Sequence, residues 1–277
     1  MLTANGQHFR SNRTLLMGIL NVTPDSFSDG GRYLDASRAV ERGLEMVAEG
    51  ADLIDIGGES SRPGSAPITE AEELARLMPV LKSLRAQTDV PISIDTQKPI
   101  VARRSLEAGA SIVNDIRGLR DPEMMEVAAE GRASVVLMHM RGTPRTMQDD
   151  TAYVDVVTEI ARFLEAQALA AREAGIDEIA VDPGLGFGKS AEQNFEILAR
   201  LKEIEALGHP VLIGPSRKSF LGSLPSGLPT ENRLEGTLAA VAVGVANGAS
   251  IVRAHDVEPC RRVLEVVDAI GAVKHAG

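Results

Sequence analysis

Polar side chains able to bind or transform a small molecule recur along this chain wherever a short apolar run gives out. Leu15–Leu20 runs into Asn21, Asp52–Ile56 leads to Ser61 and Arg62, Pro91–Ile94 ends at Asp95, and Ser111–Val113 at Asn114. Further on, Ser134–Met138 is followed by His139, Glu178–Val181 by Asp182, Val211–Ile213 by Ser216, Arg217, Lys218 and Ser219, and Ser250–Val252 by Arg253 and His255. Read as chemistry, the set divides in two. Asp95, Asn114 and Asp182 offer carboxylates and an amide, the groups that hydrogen-bond a flat heterocycle bearing amino and ring N–H donors. Arg62, Lys218, Arg253 and His255 offer cations. In a chain of net charge −10, a convergent cationic set implies an anionic group on the substrate, a phosphate or a carboxylate.

The elements that must position these groups follow from the same runs. They predict about eight short strands. Continuous apolar strands are buried on both faces, as in a parallel sheet covered by helices. Between them, Leu74, Leu77, Leu81 and Leu84, and likewise Val40, Leu44, Val47 and Ala51, each present one apolar stripe at helical spacing. Gly50, Gly109, Gly131 and Gly175 stand where a left-handed cap would turn a helix into the next strand. A strand–helix unit repeated in this way over 277 residues predicts an α/β fold, a (β/α)8 TIM barrel forming a single domain over 1–277, with an open doubly wound sheet as the alternative. In a barrel the loops at the carboxyl ends of the strands form the site, which is where the polar set lies.

Composition narrows the class. With 44% apolar and 25% charged residues and no apolar stretch long enough for a bilayer, the chain reads as soluble, with no membrane partner. The polar segment Met1–Arg13 lacks the layout of a signal peptide, so a cytoplasmic location is expected. The acidic balance argues against nucleic acid, whose backbone requires a basic surface. The single Cys260 has no intramolecular partner and reads as a packing residue.

Several of these residues carry a plainer reading. Asp95 could cap the next helix. Asn114-Asp115 could be turn residues. His139, between two methionines, reads as structural more readily than as catalytic. Asp182-Pro183-Gly184-Leu185-Gly186-Phe187-Gly188-Lys189 resembles a nucleotide loop only superficially, because its glycine spacing differs from the dinucleotide fingerprint. Gly214–Ser219 could be an ordinary basic turn or a strand-to-helix turn offering N–H groups and cations to an anion.

Taken together, the segments resemble the dihydropteroate synthases from Asn21 to Asp256. The resemblance rests on Asn21-Val22-Thr23-Pro24-Asp25-Ser26-Phe27-Ser28-Asp29-Gly30-Gly31, Gly58-Glu59-Ser60-Ser61-Arg62-Pro63-Gly64, Ser93-Ile94-Asp95-Thr96, Asn114-Asp115-Ile116, Leu137-Met138-His139-Met140, Asp182–Lys189, Ser216-Arg217-Lys218-Ser219-Phe220-Leu221-Gly222 and Arg253-Ala254-His255-Asp256. It implies a transferase that condenses 7,8-dihydropterin-6-ylmethyl diphosphate with 4-aminobenzoate to give dihydropteroate and pyrophosphate in folate synthesis, with sulfonamides competing for the aminobenzoate site. It also implies roles. Asp95, Asn114, Met138, Asp182 and Lys218 would bind the pterin, and Asn21, Arg62, Arg253 and His255 the diphosphate, with Mg2+ at Asn21. Phe27, Ser61, Pro63, Phe187 and Ser219 would form the aminobenzoate pocket, its carboxylate near Ser219 at a helix start. Asp29 would lie near the reacting carbon, and Asp95, Lys218, Arg253 and His255 would share the catalytic work.

Two positions depart from the family pattern. Ser61 stands where the family usually has Thr, one methyl group fewer in the aminobenzoate pocket, and Ala254 replaces a larger apolar residue. No extra residue interrupts Gly186-Phe187-Gly188, so sulfonamide sensitivity is expected. A corrinoid-dependent methyltransferase would share the barrel and pterin pocket but not the Ser-Arg-Lys and Arg-x-His sets. A silent paralogue would show damage at Asp95, Lys218, Arg253 or His255, all present here. An unrelated anion-binding barrel would leave the ordered motifs unexplained. The family's homodimer would use late helices, and Leu238–Ala246 is apolar enough to serve or to be a buried core helix.

Overall fold

The computed structural model describes residues 8–9, 11–23, 31–61, 64–225 and 227–274, with the backbone alone for 31–35 and 274. Strands β1 (Leu15–Asn21), β2 (Leu53–Gly57), β3 (Ile92–Asp95), β4 (Ile112–Asp115), β5 (Ser134–Met138), β6 (Ile179–Asp182), β7 (Leu212–Ile213) and β8 (Ile251–Ala254) are joined in parallel in the order β6-β5-β4-β3-β2-β1-β8-β7. The sheet closes between its two ends, where Val181 N donates to Pro210 O at 2.9 Å and Val181 bridges Val211 in parallel. The barrel expectation therefore holds and the open sheet does not. Around it run α1 (Gly31–Ala48), α2 (Glu70–Arg85), α3 (Pro99–Glu107), α4 (Pro122–Glu130), α5 (Val156–Glu173), α6 (Ala191–Ala199), α7 (Lys202–Glu205), α8 (Leu234–Ala246) and α9 (Val257–Lys274).

Side chains alternate across each strand, so every strand feeds two cores. Leu16, Leu20, Ile54, Ile56, Val113 and Val135 join the large cluster beneath the helices, which Leu77, Leu81 and Leu84 of the α2 stripe complete. Leu15, Met17, Leu53, Ile112, Val136, Ala180, Leu212 and Ile251 fill the barrel interior, with Phe9 from the amino-terminal segment. At about 25 cal/mol per Å2 of apolar surface removed from water, these two cores are the main stabilising term.

Most strands reach one or two residues further toward their carboxyl ends than the apolar runs did. Asp95, Asn114, Asp182 and Arg253 are strand residues, because the ladder of backbone hydrogen bonds continues whatever the side chain. The helix caps need one correction. Gly50, Gly109 and Gly175 have φ of 100°, 103° and 88°, but Gly131 is right-handed at −74° and Arg132 takes the left-handed position at 50°. Gly131 is instead needed for space, since a Cβ there would lie 2.6 Å from Leu106 Cδ1. Cys260 is fully buried, and burial pushes its thiol up to about 12, an inert packing residue as expected.

Candidate active site

One rule of register builds the site. On seven of the eight strands, the position two residues beyond an inward-pointing residue is polar or lines a cavity. Leu53 is followed by Asp55, Ser93 by Asp95, Ile112 by Asn114, Val136 by Met138, Ala180 by Asp182, Leu212 by Gly214 and Ile251 by Arg253. An open cavity lies above this layer, lined by Ser61, Asp95, Asn114, Ile116, Met138, Asp182, Leu185, Phe187, Gly214, Lys218 and Arg253.

Arg253 holds the floor. Its Nε donates to Asp55 Oδ2 at 2.6 Å and its Nη2 to Asp95 Oδ2 at 2.7 Å. Asn114 Nδ2 donates to the same Asp55 oxygen at 3.1 Å. Burial alone would lower the guanidinium's pKa, but the charges of Asp55 and Asp95 outweigh it, so Arg253 stays a cation. Burial pushes Asp95 upward, Arg253 pulls it back, and Asp55 and Glu73 push it up again. Asp95 does not cap a helix, since α3 starts after Lys98. In the Asn114-Asp115 pair the two readings divide. Asp115 accepts from Arg117 N and Leu119 N at 2.8 and 3.0 Å and holds the turn, while Asn114 faces the cavity.

On the opposite wall, burial pushes Asp182 up to about 6 against the pull of Gly184 N, which donates to its Oδ1 at 2.7 Å, and of Lys218. Lys218 Nζ sits 3.9 Å from the centre of the Phe187 ring, a cation–π contact, and burial with the charge of Arg253 lowers it to about 8. Met138 and Phe187 belong to an apolar patch with Ile116, Met140 and Met147.

Beside the cavity, Asn21 Nδ2 lies 3.4 Å from His255 Nε2, and His255 Nδ1 lies 3.0 Å from Ser216 Oγ. Burial, then Arg253 and Arg217, lower His255 to about 4. The ring read from sequence as a cation is therefore neutral at pH 7, because burial and the two guanidiniums outweigh the pull of Asp256. The Asn21 Oδ1 atom faces the Gly57 side, 3.7 Å from where a Gly57 Cβ would sit. Among the described residues no group of three or more His, Cys, Asp or Glu is placed to hold a metal ion. A single amide oxygen suits Mg2+ only if substrate phosphates and water supply the other ligands, which is how that ion is usually held.

Two loops keep the walls in place. Gly184, Gly186 and Gly188 all have positive φ, and a Cβ on Gly184 would fall 2.0 Å from His139 O. Lys189, which ends that motif, does not reach the cavity. Its buried Nζ donates to Gly184 O at 2.9 Å, Phe187 O at 2.8 Å and His139 O at 3.3 Å, tying the loop together. His139 is buried with its ring 5.1 Å edge-on to Phe163 and its pKa lowered to about 2 by burial, a structural residue. Arg217 takes a left-handed backbone at φ 57°, held by Thr237 Oγ1 on its N–H at 3.0 Å and by Asp256 on its guanidinium. That bend sends Ser216 to His255 and Lys218 into the cavity.

The sequence-derived set thus splits. Asp95, Asn114, Met138, Asp182, Lys218, Arg253, Ser61 and Phe187 line one cavity, and Asn21 and His255 pair beside it. Ser219 is exposed at the start of a four-residue 3-10 turn, Ser219–Gly222, outside the lining. Phe27, Asp29, Arg62 and Pro63 lie outside the described residues. Sequence reasoning missed Asp55, hidden in the run Asp52–Ile56. The signal was there: it lies two residues after inward Leu53 in a strand whose other inward positions are apolar.

The chain matches the model of the family described as pterin binding enzyme over residues 17–255. It is 48% identical to the dihydropteroate synthase of a Synechocystis strain, the match covering 93% of this chain and 90% of that one. The crystal structure of the Yersinia pestis dihydropteroate synthase with a sulfonamide drug superposes with a TM-score of 0.91 at 42% identity, over 98% of this chain and 99% of that one. The Burkholderia cenocepacia enzyme complexed with 7,8-dihydropteroate gives 0.86 at 43% identity, over 96% and 94%.

Proposed function

We infer the chemistry of this site from one premise: the chain belongs to the pterin-binding enzyme family and, within it, to the dihydropteroate synthases. The reaction is the joining of 4-aminobenzoate to 7,8-dihydropterin-6-ylmethyl diphosphate, with release of pyrophosphate and formation of 7,8-dihydropteroate for folate synthesis. The observation that carries it is the convergence of Asp95, Asn114, Asp182, Lys218 and Arg253 on one cavity.

Asp182, Asn114 and Asp95 receive the donor edge of the pterin, stacked against Met138, and Lys218 meets its ring acceptors. Arg253, near the end of β8 and two residues before His255, meets the diphosphate with Asn21, His255 and Arg62. Ser61, Pro63, Phe27, Phe187 and Ser219 take the aminobenzoate. An aromatic amine is neutral at pH 7 and needs no strong base. The carbon–oxygen bond to diphosphate breaks with both electrons leaving on pyrophosphate, the amine nitrogen bonds to the pterin methylene carbon, and its proton passes to solvent. Cation character on that carbon is favoured by the carboxylates of Asp95 and Asp182, and Asp29 is proposed to act on the same carbon. Charge on the leaving group is favoured by Arg253 and by hydrogen bonds from His255 and Asn21. A preorganised donor of this kind is typically worth about 3 kcal/mol of barrier. Asn21 would help to hold Mg2+, which would supply further neutralisation of the leaving group's charge. The substitution is dissociative in this account.

Sulfonamides, as competitors for the aminobenzoate pocket, are proposed inhibitors. A homodimer is proposed from the exposed apolar side chains Val243 on α8 and Val266, Ile270 and Val273 on α9. Sedimentation at the mass of a single 29.4 kDa chain would rule the dimer out. No helix among the described residues is long and apolar enough to cross a membrane.

The test of the function is pyrophosphate release from dihydropterin diphosphate and Mg2+, with and without 4-aminobenzoate. Release that depends on 4-aminobenzoate and yields dihydropteroate is expected. Pterin binding without any release would leave a silent pterin-binding protein.

A further inference from the structure

The loop between β2 and α2 carries Ser61 to the cavity, and both of its feet are held by one side chain. Glu59 Oε1 accepts from Ile68 N at 2.9 Å, while its Oε2 lies 2.8 Å from Lys98 Nζ. The same ammonium lies 2.5 Å from Glu73 Oε2, and Glu73 is fully buried on α2. At the first foot, Arg76 donates to Gly58 O at 2.9 Å, and a Cβ on Gly58 would meet Leu77 and Glu73 at 3.0 and 3.1 Å. Lys98 is equally fixed, its N–H donating to Thr96 Oγ1 at 3.2 Å directly after Asp95. The carboxylate of Glu59 therefore ties Ile68, just before α2, to Lys98, which caps α3 three residues beyond Asp95.

None of these groups lines the cavity, and a carboxylate–ammonium–carboxylate chain that ends on the fully buried Glu73 is a costly way to hold a surface loop. We propose that Glu59 is a positioning residue for the second substrate: by tying Ile68 to Lys98 it holds the loop of Ser61 over the aminobenzoate side of the cavity. The inference rests on the dihydropteroate synthase reading. Its physical basis is the entropy of ordering: a loop already closed at its ends loses less freedom when a ligand arrives beneath it. The groups assigned to the pterin lie on β3, β4 and β6, outside that loop.

Glu59→Ala removes both contacts, whereas Glu59→Gln keeps an acceptor for Ile68 N. For Glu59→Ala the KM for 4-aminobenzoate should rise about tenfold, the loss expected for one well-placed polar contact, with the KM for dihydropterin diphosphate and kcat held within about twofold. Glu59→Gln should recover part of the difference. Amide exchange over 59–68 should quicken in Glu59→Ala while exchange in β3 and β4 is unchanged. If the KM values of both substrates rise together, or kcat and the unfolding midpoint fall with the aminobenzoate KM unchanged, the proposal is overturned. Should Glu59→Ala not fold, Glu59→Gln carries the same comparison, and an unchanged aminobenzoate KM there overturns it. The unaltered chain is assayed alongside. If it shows no aminobenzoate-dependent turnover, the synthase reading fails, and the exchange measurement still decides whether Glu59 pins the loop.

Discussion

Arg253 and Asp55 meet at 2.6 Å across 198 residues of sequence, and this contact sets the charge of the whole cavity floor. The guanidinium lies between Asp55 and Asp95, so two buried carboxylates are held beneath a pocket without repelling one another out of it. Arg253 is thus both a candidate diphosphate ligand and the counter-ion of the pterin pocket.

Replacing Asp55 by Asn leaves Arg253 with one charged partner. Breaking a buried pair typically costs about 3–5 kcal/mol, and because Asp95 remains, the loss should fall near the lower end, about 3 kcal/mol. Urea unfolding reads this directly. The KM for dihydropterin diphosphate should rise as Arg253 and Asn114 lose their common anchor, and a loss of stability under about 1 kcal/mol would show that Arg253 does not depend on Asp55.

Asp182 links the pocket to pH. Its folded pKa of about 6 exceeds the ordinary 3.8, so the folded chain binds the extra proton. The stability contributed by that proton is full below about pH 4 and is lost as pH rises through about 6. Asp182→Asn should therefore match the parent near pH 4 and exceed it above pH 7, by up to about 3 kcal/mol at 1.36 kcal/mol per pKa unit. A heterocycle donating N–H groups favours the carboxylate, so pterin binding should release a proton near pH 6 and weaken below it. Calorimetry in buffers of different ionisation enthalpy measures that proton, and proton uptake instead of release would contradict the role.

Gly184→Ala should distort the pterin wall. With φ at 69° and a Cβ falling 2.0 Å from His139 O, the backbone must move. The strain should cost about 1–3 kcal/mol. Because Gly184 N holds Asp182, pterin affinity measured by titration should fall with stability, and retention of full affinity would show that the loop relaxes without moving Asp182.

Ser61→Thr restores one methyl group at the cavity lining. Burying it against the aminobenzoate ring is worth about 0.8 kcal/mol, a three- to fourfold gain by about 1.4 kcal/mol per factor of ten. Inhibition constants for a sulfonamide should tighten by that factor in the variant. Loss of affinity would mean that Ser61 already fills its space.

Much of the site is legible in the amino-acid sequence because it follows a local rule. Asn21, Asp95, Asn114, Asp182 and Arg253 each end an apolar run, and a parallel barrel gathers such ends on one face whatever the helices between them. Asp55 escapes because a single carboxylate inside an apolar run looks like noise until the inward register is known. His255 is legible as a residue but not in its charge, since that depends on burial and on Arg253 and Arg217 around it. Lys189 looks like a loop cation and proves to be a tether, since only the fold shows three carbonyl oxygens converging on its ammonium.

The order and type of the elements, the face that carries the chemistry and the family were determined by the sequence alone, because periodicity and motif spacing are properties of neighbouring residues. Which side chains touch was decided only by the tertiary structure. Strand register brings Arg253 to Asp55, Asn114 to Asp55 and Glu59 to Lys98 across dozens to hundreds of residues, and the resulting burial, not residue type, sets whether each group is charged, neutral or bound to another.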